Sequence, residues 1–408
     1  MKKAEHTSIR TMRTLLIMIA ATIATVVACT DKDNYRADHG VPPCEYTEEL
    51  NNLFAPIFPD NEPGAIVTVM RNDSIIYNHA FGLARLDSIC RVTDSTLFNI
   101  ASSSKIFCSA ALLKLSEQGL ISLDDSLAKF FPEFEAPFFK EIRVRDILTH
   151  SSGLPDVRPR NNESWNNYLA KHNSAFGEES DYKRYSTEAE HIQFFEDLDT
   201  VALTPSSHYL RSDPAFVLVA PLIERITGHS FDEWMADNLF KPAGMTDTRY
   251  FNAGDLLPRA SHGYRCSEGK TTPGVFRSSD GKWEEYDYGE VDFFLTKADR
   301  GAFSSARDFM RWNKALYSGK IISRALVDSI NTGYIPSDIP YVSYGLANAV
   351  AQKPGRPLKI YHANTNGGYG IVEATIPSEN ISYLIFSTRA NWDLIEVFEK
   401  VDSILLKL

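Results

Sequence analysis

Ser102 and Lys105 stand three residues apart, where the apolar run Phe98-Asn99-Ile100-Ala101 gives way to a helical pattern. One helical turn puts the hydroxyl and the amine on the same face. A serine hydroxyl is a weak nucleophile until a neighbouring base takes its proton, and a lysine that has shed its own proton can be that base. Ser102 also opens the helix, where unpaired backbone N–H groups and the dipole favour the negative charge that acyl transfer develops. Taken alone the pair is a weak signal, because an N-cap serine followed by a solvated lysine has the same spacing.

The elements that must hold this pair come next. Ile106, Phe107, Ala110, Leu112, Leu113 and Leu115 form a broad apolar stripe stopped by Gly119, so the helix belongs in the centre of a domain. Upstream, residues 46–58 fit a short helix stopped by Pro59, and residues 65–70 and 75–81 read as a hairpin turning at Asn72-Asp73. From 102 to about 325 the pattern is mostly helical, with long loops. The acidic pair Asp124-Asp125 marks a helix start within 120–131, and helices are expected over 216–226, 231–239 and 305–317. Residues 156–200 are polar and irregular, and 250–295 read as loops covering a cleft.

Strands return over 358–362, 371–376 and 382–387. An amphipathic helix over 391–408 places Leu394, Ile395, Phe398, Val401, Leu405 and Leu408 on one side. The expected fold is α+β. An antiparallel sheet built from both ends of the chain (47–101 and 326–408) is flanked by terminal helices, with a mostly helical lobe (102–325) inserted between its strands.

At 408 residues, 43% hydrophobic and 23% charged, the chain has ample core for a globular protein. Its net charge of -11 and lack of a basic stripe argue against a nucleic-acid partner. Lys2, Lys3, Arg10 and Arg13 precede an apolar run from Leu15 to Ala28, too short for a membrane span and suited to a signal peptide over 1–28. That run ends in Val26-Val27-Ala28-Cys29, which resembles a bacterial lipobox, with Cys29 as the lipidated residue and 29–46 as a polar tether. An ordinary secretory signal with an incidental cysteine is the alternative. Removing 1–28 takes away four basic residues and one acid, leaving -14. Of the other cysteines, Cys44, Cys90, Cys108 and Cys266, no spacing demands a disulfide, and Cys108 reads as a small buried hydrophobe. No Cys/His cluster has metal-ligand spacing and no glycine-rich phosphate loop occurs, so no cofactor is implied.

Several local signatures accompany the Ser-x-x-Lys. They are Pro63-Gly64-Ala65, Leu148-Thr149-His150-Ser151-Ser152-Gly153-Leu154-Pro155, Ile223-Glu224-Arg225-Ile226-Thr227-Gly228, Phe240-Lys241-Pro242-Ala243-Gly244-Met245-Thr246-Asp247-Thr248 and Phe303-Ser304-Ser305-Ala306-Arg307-Asp308. With the layout, they make residues 47–408 resemble the serine β-lactamase and penicillin-binding-protein family. The nearest branch is that of class C β-lactamases, D-Ala-D-Ala carboxypeptidases and related esterases.

The resemblance implies a β-lactamase/transpeptidase-like fold and three active-site motifs. The first is intact at Ser102 and Lys105. The second, usually Tyr-x-Asn, stands here as Arg211-Ser212-Asp213; the third, usually Lys/His-Thr/Ser-Gly on a strand, as His362-Ala363-Asn364. Arg211 cannot relay a proton as a tyrosine does. Three roles remain open for it: a cation favouring the neutral amine of Lys105, a fork for a substrate carboxylate, or a structural partner of Asp213. Tyr209 offers a replacement hydroxyl only if its loop shifts. His362 is expected on the strand edge lining the cleft, or else as a packed strand-end histidine.

The family's oxyanion site corresponds to the backbone N–H groups of Ser102 and Thr365. Asn364 is expected to narrow the place of the substrate backbone. Asp213 takes the place of an asparagine that contacts substrate or Lys105, and His150 reads as structural. The reading is an exported, lipid-anchored serine hydrolase of the cell envelope that forms an acyl-enzyme with an ester, a D-amino-acid peptide or amide, or a β-lactam. The alternative is an impaired relative that keeps its cleft to bind a cell-wall peptide or small ligand.

Overall fold

The computed structural model describes residues 37–155, 188–250, 252, 258–267, 277–285 and 296–408. The signal segment and Cys29, residues 156–187 of the polar stretch and much of 250–295 lie outside the described residues.

Runs rich in β-branched and aromatic residues form the sheet, because such side chains pack well on a pleated surface. Its strands are β1 (Ala65–Arg71), β2 (Ser74–Phe81), β3 (Ile335–Pro336), β4 (Val342–Tyr344), β5 (Ala349–Ala351), β6 (Lys359–Asn366), β7 (Tyr369–Ile376) and β8 (Ile381–Ser387). They lie in the order β3-β4-β5-β6-β7-β8-β1-β2, antiparallel throughout. Ala65 of β1 pairs with Ser387 of β8, so the two ends of the chain meet inside the sheet.

Alternation along the central strands sends successive side chains to opposite faces. Val67, Val69, Ala374, Ile376, Tyr383 and Ile385 pack against the terminal helices α1 (Thr47–Phe54) and α8 (Leu394–Leu406). Ile66, Ile371, Leu384 and Phe386 face the helical lobe. There the ring of Phe386 meets those of Phe98 and Phe309, with centroids 5.9 and 5.4 Å away.

The helical lobe is built around α2 (Ser104–Glu117), which is buried on every side from Ser104 through Leu113. A helix apolar all round has no solvent face to keep and sits in the middle of a core. Among the described helices of the lobe, those that bear on the site are the short α3 (Val144–Leu148), α4 (Asp213–Val217), α5 (Val219–Thr227) and α6 (Lys297–Arg300), and the longer α7 (Ala306–Tyr317).

Two glycines in the sequence signatures are required by close backbone approach. A Cβ on Gly64 would stand 1.9 Å from the carbonyl oxygen of Phe81, and one on Gly153 equally close to that of Leu203. Two other signatures bind each other. The Asp308 carboxylate accepts hydrogen bonds from the backbone N–H groups of Asp247 and Thr248, at 2.7 and 2.9 Å.

The α+β architecture matches the sequence reading, and the structure differs from it in several details, including a helix over Glu188–Glu196 and the paired strands Tyr264–Cys266 and Trp283–Glu285 where irregular chain and loops were expected. Asp124 and Asp125 do not open an α-helix; only a 3-10 turn, Leu127–Lys129, forms there. Asp124 instead pairs with Arg143 and Arg145, and Asp125 accepts the Ser122 N–H. Ile395 of α8 and Leu408 beyond its end are exposed while Val397 is buried, so the apolar face is narrower and rotated. The short strands β3, β4 and β5 extend the sheet beyond the three C-terminal strands expected.

Truncating Phe386 empties a site closed on both sides by rings. Phe386→Ala is expected to lower unfolding stability by about 3–5 kcal/mol, whereas Ile395→Ala, on the solvent side of α8, stays within about 0.5 kcal/mol of wild type. Urea unfolding of both variants checks this.

Candidate active site

The nucleophile turn is built by polar side chains placed inside an apolar run. Ala101 has a left-handed backbone, with φ 51°. A non-glycine residue adopts it only when its surroundings hold it there. Here the holder is Asn99, whose Oδ1 accepts the Ala101 N–H at 3.0 Å and also the Asn366 amide of β6 at 2.9 Å. Its Nδ2 donates to the carbonyl of Arg300 at the end of α6. The Ser104 hydroxyl donates to the Ala101 carbonyl at 2.7 Å. The 3-10 turn Ala101–Ser103 then runs into α2 and presents Ser102 between β6 and the helical lobe.

Lys105 Nζ lies 2.9 Å from Ser102 Oγ and 2.9 Å from Asp213 Oδ1. The side chains of Lys105 and Asp213 are 1% and 2% exposed, so this ion pair is removed from solvent. Arg211 reaches the same place from the cleft. Its Nη2 is 3.1 Å from Ser102 Oγ, and its Nε is 3.2 Å from Asp213 Oδ1. Arg211 is 40% exposed, and its charge is accordingly weakened by water. Two of the roles left open by the sequence therefore coincide in one geometry: Arg211 pairs with Asp213 and stands as a cation beside the Ser102–Lys105 couple.

The Arg211–Asp213 segment is fixed from behind. Ser212 donates its backbone N–H to Nδ1 of His150 and caps α4 by accepting the Ala215 N–H. His150 is buried, and its ring packs on those of Phe216 and Tyr344. It thus positions the loop, as expected. Tyr209 packs against Tyr344 and His150 in the same aromatic cluster, so its ring is already committed there.

In the third motif His362 takes the second of its two expected places, buried as a packed histidine rather than open to the cleft. Its Nδ1 stands 2.7 Å from Glu373 Oε1 across the β6–β7 ladder, and Nε2 is enclosed without a hydrogen-bond partner. Asn364 does more than narrow the substrate path. Its Oδ1 accepts the backbone N–H of Ser102 at 2.9 Å, which the sequence reading left for an oxyanion. The Asn364 Nδ2 is buried with no partner, a cost of about 1–3 kcal/mol for such a group. Thr365 follows on β6, exposed and opposite Gly370.

Two residues missed from the sequence complete the site. Asn99 was legible in principle, as a polar residue inside an apolar run just ahead of the nucleophile. Asp299 of α6 had no local signal. It is fully buried, which pushes its carboxyl up, but the charges of Arg300 and Lys105 outweigh this and hold it below the ordinary range. Cys108 of α2 donates to the Ala298 carbonyl at 3.1 Å, and burial pushes its thiol up, away from reactivity. Cys44, Cys108 and Cys266 are free thiols. Among the described residues no cluster of His, Cys, Asp and Glu could hold a metal ion.

A serine on a strained turn, a buried lysine within proton-transfer distance and a strand alongside are the parts of an acyl-transfer site. A family model described as Beta-lactamase matches residues 53–403. The chain belongs to the Beta-lactamase family. Penicillin-binding protein 4* of Bacillus subtilis (strain 168) is 24% identical over 328 residues, covering 79% of this chain and 67% of its own. The D-amino acid amidase of Ochrobactrum anthropi, solved with D-phenylalanine, superposes with a TM-score of 0.71 at 20% identity, covering 89% of this chain and 98% of the amidase. The octameric penicillin-binding protein homologue of Pyrococcus abyssi gives 0.70 at 22% identity, over 89% and 77%. These likenesses to solved structures establish a β-lactamase-family fold.

Removing the carboxylate takes away the buried acceptor that Lys105 and Arg211 share. Asp213→Ala is expected to cost about 3–5 kcal/mol of unfolding stability, while Asp237→Ala, in the exposed Lys241–Asp237 pair, unfolds close to wild type in the same urea titration.

Proposed function

We propose that the protein is an exported serine hydrolase that works through a covalent acyl-enzyme on Ser102. The observation that carries this reading is the contact of Ser102 Oγ with Lys105 Nζ at 2.9 Å, inside a pocket dry enough to keep the lysine from bulk water. In the proposed cycle Ser102 Oγ attacks an acyl carbonyl while its proton passes to a neutral Lys105. The bond to the leaving group breaks, and Lys105 hands the proton on to that group. Water then attacks the acyl ester, Lys105 takes a proton from it, and Ser102 leaves with that proton restored. Arg211 donates to the serine oxygen and stabilises the charge it develops. The backbone N–H groups of Ser102 and Thr365 are the proposed oxyanion donors, and His362 acts through Glu373 to hold β6.

Arg211 also bears on the substrate. It stays protonated and accepts nothing, so it cannot shuttle a proton to a leaving group. Lys105 must serve both partners. An ester, whose alcohol leaves with less help than an unstrained amine, is the substrate class this arrangement favours. β-Lactams and D-amino-acid amides come next, as the classes named in the relatives above. The anchor is proposed at Cys29, after a signal peptide over 1–28. Residues 29–46 would then tether the domain of 47–408 to the cell envelope. No helix among the described residues is long and apolar enough to cross a membrane.

A second reading, a binding protein for a cell-wall peptide or small ligand, draws on one observation: the Asn364 oxygen on the Ser102 N–H. Labelling separates the two. The mature protein is expected to react with a fluorophosphonate probe at Ser102, seen by intact mass and peptide mapping, and Ser102→Ala is expected to remain unlabelled. A fluorescent penicillin tests the lactam class in parallel. No labelling of a folded wild-type protein by either reagent overturns the hydrolase reading in favour of the binding protein.

A further inference from the structure

Resting on the acyl-enzyme reading, the geometry points to Asn364 as a built-in occupant of the oxyanion position, which the carbonyl of an acyl substrate must displace before Ser102 can be acylated. The Ser102 N–H is the donor at the nucleophile itself, and the atom it meets at 2.9 Å is an amide carbonyl oxygen. That is the same chemical group, on the same donor, as the carbonyl of a bound amide or peptide substrate. The occupant comes from the strand beside the site. Asn364 lies on β6, two residues from His362 and two from Asn366, so all three share a face of the sheet. Asn366 is tied to Asn99, which holds the nucleophile turn, and His362 is tied to Glu373. With both neighbours fixed, the Asn364 side chain is delivered to Ser102 by a strand that has little freedom to withdraw it.

The other end of the amide gives the occupant a specificity. Nδ2 is enclosed and has no hydrogen-bond partner. A plain acyl group that displaces Oδ1 leaves this donor still unmatched. An acyl donor with a second acceptor beside its acyl carbon can take the Ser102 N–H with one oxygen and the Asn364 Nδ2 with the other. The substrate class is therefore an acyl donor carrying an adjacent carbonyl or carboxylate oxygen. Simple acyl groups are disfavoured. Asn364 acts through the Ser102 N–H and through substrate placement, so it is a positioning residue.

The test compares Asn364→Ala, Asn364→Gly and Asn364→Asp with wild type. A minimal fluorophosphonate, which carries no adjacent carbonyl or carboxylate oxygen, is expected to phosphonylate Ser102, with loss of fluoride, faster in the Ala and Gly variants by roughly three- to tenfold, the weight of one neutral hydrogen bond. Asn364→Asp keeps an acceptor on the Ser102 N–H and is expected to react no faster than wild type. Amide hydrogen exchange gives a readout independent of reactivity. The Ser102 N–H is expected to exchange faster in the Ala and Gly variants and at the wild-type rate or slower in Asn364→Asp. Labelling of wild type at Ser102 with no acceleration in the Ala and Gly variants overturns the occupant, as does unchanged exchange of the Ser102 amide. Absence of labelling in all four proteins overturns the hydrolase reading, and this proposal with it.

Discussion

Asp213 is a single buried carboxylate that serves two cations, Lys105 at 2.9 Å and Arg211 at 3.2 Å. Behind it, Asp299 is shared between Arg300 and Lys105. Lys105 and Arg211 thus both stand within hydrogen-bond distance of one serine hydroxyl. Burial and an excess of like charge both favour the uncharged form of a base, while the carboxylates oppose it. Of these two cations only lysine can release a proton, so Lys105 is the group proposed as the base. In the proposed mechanism Arg211, where the resemblance puts the family's tyrosine, carries no proton relay and instead favours the neutral lysine that acts as base.

The fold serves this cluster by bringing distant segments together with little slack. Ser102 comes from a turn held by Asn99, Lys105 from the all-buried α2, Asp213 from the first turn of α4, and Asn364 from β6. The contacts that bind these elements are mutual. Asn99 joins the turn to α6 and β6, Cys108 joins α2 to α6, and His150 joins the loop after α3 to the start of α4. A nucleophile held from so many sides is preorganised, which is where much of the acceleration by such sites originates. The exception is the Ser102 N–H, whose partner is a side chain of the protein itself.

The legible part of the site was what lies close together in the sequence. Ser102, Lys105 and the apolar pattern around them follow from helical spacing, and the paired terminal strands follow from β-branched runs at both ends of the chain. The signatures carried the rest of the frame because their residues meet physical demands, as with Gly64 and Gly153 against neighbouring carbonyls and Asp308 on two backbone N–H groups. What escaped is what depends on contacts across the fold. Asp299 has no local pattern, because its role comes from burial beside Lys105. The rotation of Asn364 toward Ser102 and of His362 toward Glu373 is set by the β6–β7 register and the packing beneath it, which no spacing in the sequence encodes. The misplaced face of α8 has the simpler cause that both Val397 and Ile395 are apolar, and only the sheet decides which of them is covered.

The most direct test of a lysine base tuned by a neighbouring arginine is the pH dependence of Ser102 acylation in wild type and Arg211→Gln, followed with the same fluorophosphonate. A neutral lysine base predicts a rate that rises with pH to a plateau. Removing the neighbouring cation favours the protonated lysine, so the rising limb of Arg211→Gln should move to higher pH by roughly one unit. Two profiles that superimpose over their whole pH range would contradict the claim that Lys105 is the base and Arg211 the charge that sets it.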